Sequence, residues 1–243
     1  MPILQTKNLT KRFDGVRAVD DLSIAIEKGK ITGIIGPNGS GKSTLVNLLT
    51  GVLGTDGGLI IIDNVGLKKI QAHQIPFYGI TRTFQDVRLF NQMPVLDNIL
   101  VVLTERNVLG ALWEKHGEYH LQKSKEILEK VGLWEKRNEL AINLSYGQRK
   151  LLEIARAVSM GSQIFLLDEP FAGLFPKMIE IVSGIIKALK QENKTIVLIE
   201  HNMNLIRELC DYIFVMDNGK LLAEGEPAEA LKKREVIEAY LGE

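Results

Sequence analysis

The stretch Gly36-Pro37-Asn38-Gly39-Ser40-Gly41-Lys42-Ser43-Thr44 constrains this chain more than any other. It follows the apolar run Ile31-Thr32-Gly33-Ile34-Ile35, which reads as a buried strand, and leads into Leu45-Val46-Asn47-Leu48-Leu49, which reads as the first turns of a helix. Strand, glycine loop and helix in that order make an anion cradle. Glycines let consecutive backbone N–H groups converge, and the helix start adds the positive end of its dipole. The pattern assigns Gly36, Asn38, Gly39, Ser40, Gly41, Lys42, Ser43 and Thr44 to a polyphosphate, with Lys42 reaching the terminal phosphates and the Ser43 hydroxyl ligating Mg²⁺. The plain alternative is a glycine turn followed by an incidental Lys-Ser, and the strand-to-helix context argues against it. By itself the loop means nucleotide and no particular reaction, since kinases, GTPases and motor ATPases all use it.

A second motif narrows the chemistry. The apolar run Ile164-Phe165-Leu166-Leu167 passes directly into Asp168-Glu169-Pro170, which puts two carboxylates at the C-terminal edge of a buried strand, where ligands of open α/β sheets collect. Asp168 can join a Mg²⁺ shell, and Glu169 can orient and deprotonate an attacking water. An acidic turn after a strand would explain the tripeptide alone; beside the phosphate loop, the pair reads as ATP or GTP hydrolysis. A third stretch, Leu144-Ser145-Tyr146-Gly147-Gln148-Arg149-Lys150, precedes a helical pattern carrying Leu151, Leu152, Ala155 and Val158. Ser145 and Gly147 then stand at a second helix start able to meet an anion, and Ser145 equally suits a plain N-cap.

Around these motifs the chain alternates strand and helix patterns. Ile3 to Leu9 and Leu22 to Glu27 read as half-buried antiparallel strands with Asp14-Gly15 between them, followed by strands at Leu59–Asp63 and Ile80–Phe84. From Pro94 to about Ala157 helical spacing replaces strand alternation, and a helix from Lys123 to Val131 carries its charges on a solvated face. Strand patterning returns at Ile164, at Thr195–Ile199, and at Tyr212–Met216 and Lys220–Ala223 around the turn Asp217-Asn218-Gly219. The expected fold is α/β: a nucleotide-binding core of mainly parallel sheet, an antiparallel β subdomain, and an inserted helical subdomain. The boundaries are 1–86 and 160–243 for the core with its β subdomain and about 87–159 for the helical part, within a single domain of 1–243. Thirty basic and thirty acidic residues cancel, so no basic stripe argues for nucleic acid. Cys210 is the only cysteine, which excludes an internal disulfide and suits a reducing compartment. No apolar run is long enough to span a bilayer, so any membrane role is expected to pass through a partner.

With all three motifs in order, the chain resembles the nucleotide-binding subunit of an ATP-binding cassette transporter over essentially its whole length. The resemblance implies a P-loop NTPase core that binds ATP and Mg²⁺. It adds Phe13, where an aromatic stacks on adenine, and Val19 to the nucleotide set. It makes Gln85 a loop glutamine near Mg²⁺ and the permease, Ser145, Gly147 and Gln148 the signature facing nucleotide, Asp168 a metal ligand, Glu169 the base, and His201 a γ-phosphate contact. Each has a bland counterpart: Phe13 packing on the β edge, Gln85 as a hinge, His201 as a helix cap. Arg82-Thr83-Phe84-Gln85, Val87-Arg88-Leu89-Phe90, Leu144 to Gln148 and the ending Ala239-Tyr240-Leu241-Gly242-Glu243 look like the ATPases of branched-chain amino acid uptake systems, with urea and short amide importers as close relatives. Two positions depart from the wider pattern: Tyr146 stands where glycine is commonest, and Phe175 where the family usually has Asp or Asn. Phe175 either alters contact across a dimer or packs under Phe171 or Leu174.

The resemblance implies dimerisation around ATP with a second copy or a paralogue, two membrane permease subunits, an indirect link to an extracytoplasmic solute-binding protein, and no nucleic acid. It places the chain peripherally on the cytoplasmic face of the membrane, with Val87, Leu89 and Phe90 as the expected permease contact. Two rivals come from other classes. A soluble cassette ATPase of DNA repair or translation would be expected to carry a coiled-coil insertion, a tandem cassette or a basic stripe. A nucleotide-dependent scaffold with little turnover would not need Glu169.

Overall fold

The computed structural model describes residues 1–103 and 117–241; Gly242 and Glu243 of the terminal motif lie outside them. In chain order the strands are β1 (Pro2–Phe13), β2 (Val16–Leu22), β3 (Ala25–Glu27), β4 (Ile31–Ile35), β5 (Gly57–Ile62), β6 (Val65–Leu67), β7 (Ile80–Arg82), β8 (Ile164–Asp168), β9 (Thr195–Ile199), β10 (Tyr212–Asp217) and β11 (Lys220–Gly225). The helices are α1 (Lys42–Leu49), α2 (Val95–Leu103), α3 (Gly117–Lys130), α4 (Tyr146–Ser159), α5 (Pro176–Gln191), α6 (Met203–Leu209), α7 (Pro227–Ala230) and α8 (Arg234–Leu241). The chain forms two compact units: residues 1–82, 162–169 and from 186 onward in the first, and 83–161 with 170–185 in the second.

The first unit holds two sheets. The antiparallel one runs β2-β1-β5-β6, with β3 also paired to β1. Here the structure corrects the sequence reading: β1 continues to Phe13 and β2 starts at Val16, because the reversal takes only Asp14 and Gly15, both at positive φ (44° and 89°). Such a two-residue Asp-Gly loop matches the twist of the flanking strands, so pairing resumes at once with Phe13 opposite Val16. Only β3 remains of the strand expected at Leu22–Glu27. A second tight reversal, Asp63-Asn64, also at positive φ, adds β6, which had no sequence signal beyond its turn.

The other sheet has the order β11-β10-β4-β9-β8-β7, parallel throughout except for the β10–β11 hairpin. β4, β8 and β9 are buried at every residue, as their mainly apolar, non-alternating sequences require of strands covered on both faces. One apolar cluster joins the two sheets of this unit, with Leu4 and Ile60 from the first and Ile34, Val197 and Phe214 from the second meeting Leu45 of α1.

In the second unit α2, α3 and α4 pack on one another. The helix expected at Lys123–Val131 falls in α3, which stops one residue short of Val131: Ile127 and Leu128 are buried, while Lys125 and Glu129 pair on the exposed side. Among the described residues no helix is long and apolar enough to cross a membrane.

Candidate functional site

Strand order assembles the site. In the parallel sheet β4, β9, β8 and β7 are consecutive neighbours, so their C-terminal ends lie side by side on one edge. Past those ends come Gly36–Thr44, His201, Asp168-Glu169 and, last on β7, Arg82. Four groups remote in sequence thereby share the edge at which open α/β sheets bind ligands.

The phosphate loop has a backbone that only glycine permits at two points. A Cβ at Gly36 (φ 153°) would stand 2.1 Å from the Met216 carbonyl oxygen, and one at Gly41 (φ 99°) 2.2 Å from that of Ala18. Gly41 occupies the N-cap of α1 with no side-chain cap, so the first-turn N–H groups are left to a ligand. Lys42 is buried, and its ammonium donates to the carbonyls of Gly36 (2.8 Å) and Pro37 (2.8 Å) and to Ser40 Oγ (3.3 Å). The cation is thus held inside the loop, where a phosphate can replace weaker carbonyl dipoles. Ser43 is exposed at the first turn, with its hydroxyl accessible. Phe13 is 42% exposed at the hairpin tip, with Lys11 Nζ 5.4 Å from its ring centre, so it is not consumed by packing on the β edge. Val19 is fully buried in the core cluster and offers a nucleotide no surface, a correction to its expected role in contact.

Asp168 is tied down in a way the sequence did not disclose. Its Oδ2 accepts from Arg82 Nη2 at 3.0 Å, and Arg82 Nη1 donates to Asn47 Oδ1 (2.6 Å) and Thr50 Oγ1 (3.1 Å) of the α1 segment. Both members of the ion pair are almost fully buried, so each is the other's compensation for leaving water. Next to it Glu169 sits in the left-handed region (φ 47°), unusual for a glutamate, with its N–H donating to Ile199 O at 3.0 Å. That turn brings Glu169 Oε1 within 3.1 Å of His201 Nε2. His201 is not the cap of α6: Asn202 is, its Oδ1 accepting from Asn204 N and Leu205 N. Buried Glu200 accepts from the N–H groups of His201 and Asn202 and so shapes the turn that presents the imidazole.

The remaining expected residues belong to the second unit. Ser145 caps α4 through a reciprocal pair: its Oγ accepts from Gln148 N (3.3 Å), and Gln148 Oε1 accepts from Ser145 N (3.0 Å). Gly147 is buried in the first turn, and Tyr146 is exposed beside Gly173, where a Cβ would come 2.8 Å from the Tyr146 ring. Gln85 is exposed, and its carbonyl accepts from Lys150 Nζ at 3.2 Å.

Comparison with known proteins shows the family. The family model described as ABC transporter matches residues 19–172. The high-affinity branched-chain amino acid transport ATP-binding protein BraF of Pseudomonas aeruginosa is 39% identical, the alignment covering 100% of this chain and 98% of that one. The chain belongs to the ABC transporter family. As a cassette of that family it binds nucleotide and hydrolyses ATP to power transport. A solved ATP-binding cassette of an ABC transporter in its ADP conformation superposes with a TM-score of 0.85 at 36% identity, covering 100% of both chains. A dimeric cassette in a post-hydrolysis state, bound to ADP and Pi, gives 0.81 at 26% identity, covering 92% of this chain and 98% of that one.

Seen as an ABC transporter cassette, the chain carries several supporting residues whose roles the sequence did not disclose: Arg82, Asn47 and Thr50 around Asp168, Glu200 behind His201, and Lys150 behind Gln85. Arg82 alone had a possible signal, its place at the end of an edge strand three residues before Gln85. Phe175 does not pack under Phe171 or Leu174, since its ring is 75% exposed; the reading as loop core is set aside.

Proposed function

We propose that this cassette drives an importer of branched-chain amino acids, hydrolysing MgATP between two nucleotide-binding subunits on the cytoplasmic face of the membrane, where it is held peripherally by two permease subunits. The relative BraF supports the substrate class, and the dimeric cassette with ADP and Pi supports closure of two copies around nucleotide. The observation that carries the catalytic reading is the convergence of Lys42, Glu169 and His201 on one sheet edge with His201 Nε2 at 3.1 Å from Glu169 Oε1.

The loop fits a nucleoside triphosphate: an uncapped helix start, a buried ammonium, and a backbone path that glycine alone permits at positions 36 and 41, where a Cβ would run into the Met216 and Ala18 carbonyls. Lys42 meets the terminal phosphates, Phe13 stacks on the base, and the loop N–H groups hold the oxygens. Among the described residues no three His, Cys, Asp or Glu side chains gather into a metal site. Mg²⁺ takes few protein ligands and keeps phosphates and waters for the rest, and the Ser43 hydroxyl, Asp168 and Gln85 would supply those few. When bound, the ion neutralises phosphate charge.

Glu169 accepts the proton of the attacking water as its oxygen bonds to the γ-phosphorus and the bond to the β–γ bridging oxygen breaks. His201 orients the Glu169 carboxylate and faces the γ-phosphate. Ser145 remains able to donate its hydroxyl proton to a phosphate of the opposing copy, because capping uses only its lone pairs. ATP favours closure by its greater affinity for the closed pair. Val87, Leu89 and Phe90 then form the patch that a permease helix meets.

Glu169→Gln tests this reading. The amide keeps shape and hydrogen bonding but cannot take the proton, so kcat should fall by roughly 10²–10⁴ while MgATP still binds and an ATP-bound dimer accumulates on size-exclusion chromatography. Wild-type turnover in the variant would move the base elsewhere, with His201 next in line.

A further inference from the structure

Helix α4 carries an unusual stripe on its inner side. Lys150, Glu153 and Arg156 follow at i, i+3 and i+6, and Lys150 and Glu153 are 0% and 2% exposed. Charged side chains are rarely so buried unless something specific holds them. All three point at one short segment. Lys150 Nζ donates to Gln85 O (3.2 Å), Glu153 Oε1 accepts from Arg88 N (3.1 Å), and Arg156 Nη2 donates to Arg88 O. Two rings complete the contact: the Arg88 guanidinium lies 3.9 Å from the Phe84 ring centre, and that of Arg156 lies 5.5 Å from Phe90. Segment 84–90 has no strand or helix of its own, so these side chains replace the backbone ladder it lacks.

We propose that Lys150, Glu153 and Arg156 are positioning residues for ATP hydrolysis, fastening the backbone of 85–88 to the helix that Ser145 caps so that the Gln85 loop and the Ser145–Gln148 helix end move as one body. The inference rests on the reading that Gln85 acts in hydrolysis. Any displacement of the Gln85 loop by a permease is transmitted along a helix that starts at the signature. Buried charges make a better fastener than apolar contact here, because sliding the loop by one residue would strand each of them without its backbone partner. Glu153 Oε2 has no hydrogen-bond partner among the described residues, and burial pushes this carboxyl above its ordinary range against the pull of the Arg88 and Phe84 N–H groups, Lys150 and Arg156. The Glu153 carboxyl therefore holds the loop through the amides of Arg88 and Phe84.

The test uses the full chain with MgATP, comparing Glu153→Gln, Glu153→Leu and Lys150→Met well below each melting temperature. Hydrogen exchange should speed up about tenfold at amides 84–90 in Glu153→Leu and Lys150→Met, with residues 31–49 unchanged. In the same variants kcat should fall about tenfold or more, with MgATP affinity within twofold of wild type. Glu153→Gln keeps an acceptor for Arg88 N, and both readouts should return to within about threefold of wild type. A merely structural role would lower the melting temperature of the Gln and Leu variants together and leave kcat intact, which overturns the proposal; so does unchanged exchange in either folded variant. Should Glu153→Leu fail to fold, Lys150→Met breaks the same fastening from the donor side. Gln85→Ala separates the two failures: wild-type kcat there overturns the site reading, and the exchange rates alone then decide the fastening.

Discussion

The starts of α1 and α4 are both expected to meet phosphate, yet they are finished in opposite ways. At α1 the cap is a glycine with no side chain to offer, and the neighbouring ammonium is tucked against loop carbonyls. At α4 the cap is closed by its own residues, Ser145 and Gln148 each satisfying the other's backbone. An open start with a buried cation needs a ligand to complete it; a closed start stands alone and offers a ligand only a hydroxyl proton and partly shielded N–H groups. In the proposed function the first would therefore bind nucleotide by itself, and the second would add to a nucleotide already held by another copy.

Removing the cation breaks the comparison at its strong side. Lys42→Ala should abolish productive MgATP binding in calorimetric titration, since backbone dipoles alone then face the terminal phosphates; ordinary hydrolysis by this variant would overturn the phosphate-loop assignment. Arg82→Met should cost about 3–5 kcal/mol in chemical denaturation, because a buried Asp168 loses its charged partner. A loss below about 1 kcal/mol would mean that Asp168 is held by other groups. On the weaker side, Ser145→Ala should lower stability by about 1 kcal/mol and leave the nucleotide affinity of the single subunit unchanged, while ATP-dependent dimer formation declines. If single-subunit affinity falls with it, the two helix starts do not divide the work as argued. The smallest effect belongs to Phe175→Asn. The exposed ring offers no donor or acceptor, so an amide there should leave ATP affinity nearly unchanged and raise turnover or its cooperativity in ATP. A drop in melting temperature with unchanged kinetics would assign the ring to structure.

The same contrast separates what could be read early from what could not. The phosphate loop, β8 with its two carboxylates, and the cap at Ser145 were legible because each is a local pattern, a few residues whose spacing alone dictates strand, turn or helix start. The hairpin at Asp14-Gly15 was half legible: the turn residues stood out, but alternation in Leu22 to Glu27 drew the second strand too far along the chain, since pairing across a two-residue loop is decided by register and not by periodicity. Val19 was assigned to nucleotide by position and is instead core, because which face of a short strand is buried depends on the sheet beneath it.

By itself the sequence determined a glycine loop shaped for a polyphosphate and a pair of carboxylates at the end of a buried strand, because those features need contiguous residues whose backbone geometry is local. Only the tertiary structure decided that β4, β9, β8 and β7 lie side by side, that Arg82 holds Asp168 across 86 positions, and that Lys150 holds the carbonyl of Gln85 across 65. Buried charges find partners through strand order and helix packing, and no periodicity along the chain encodes those distances.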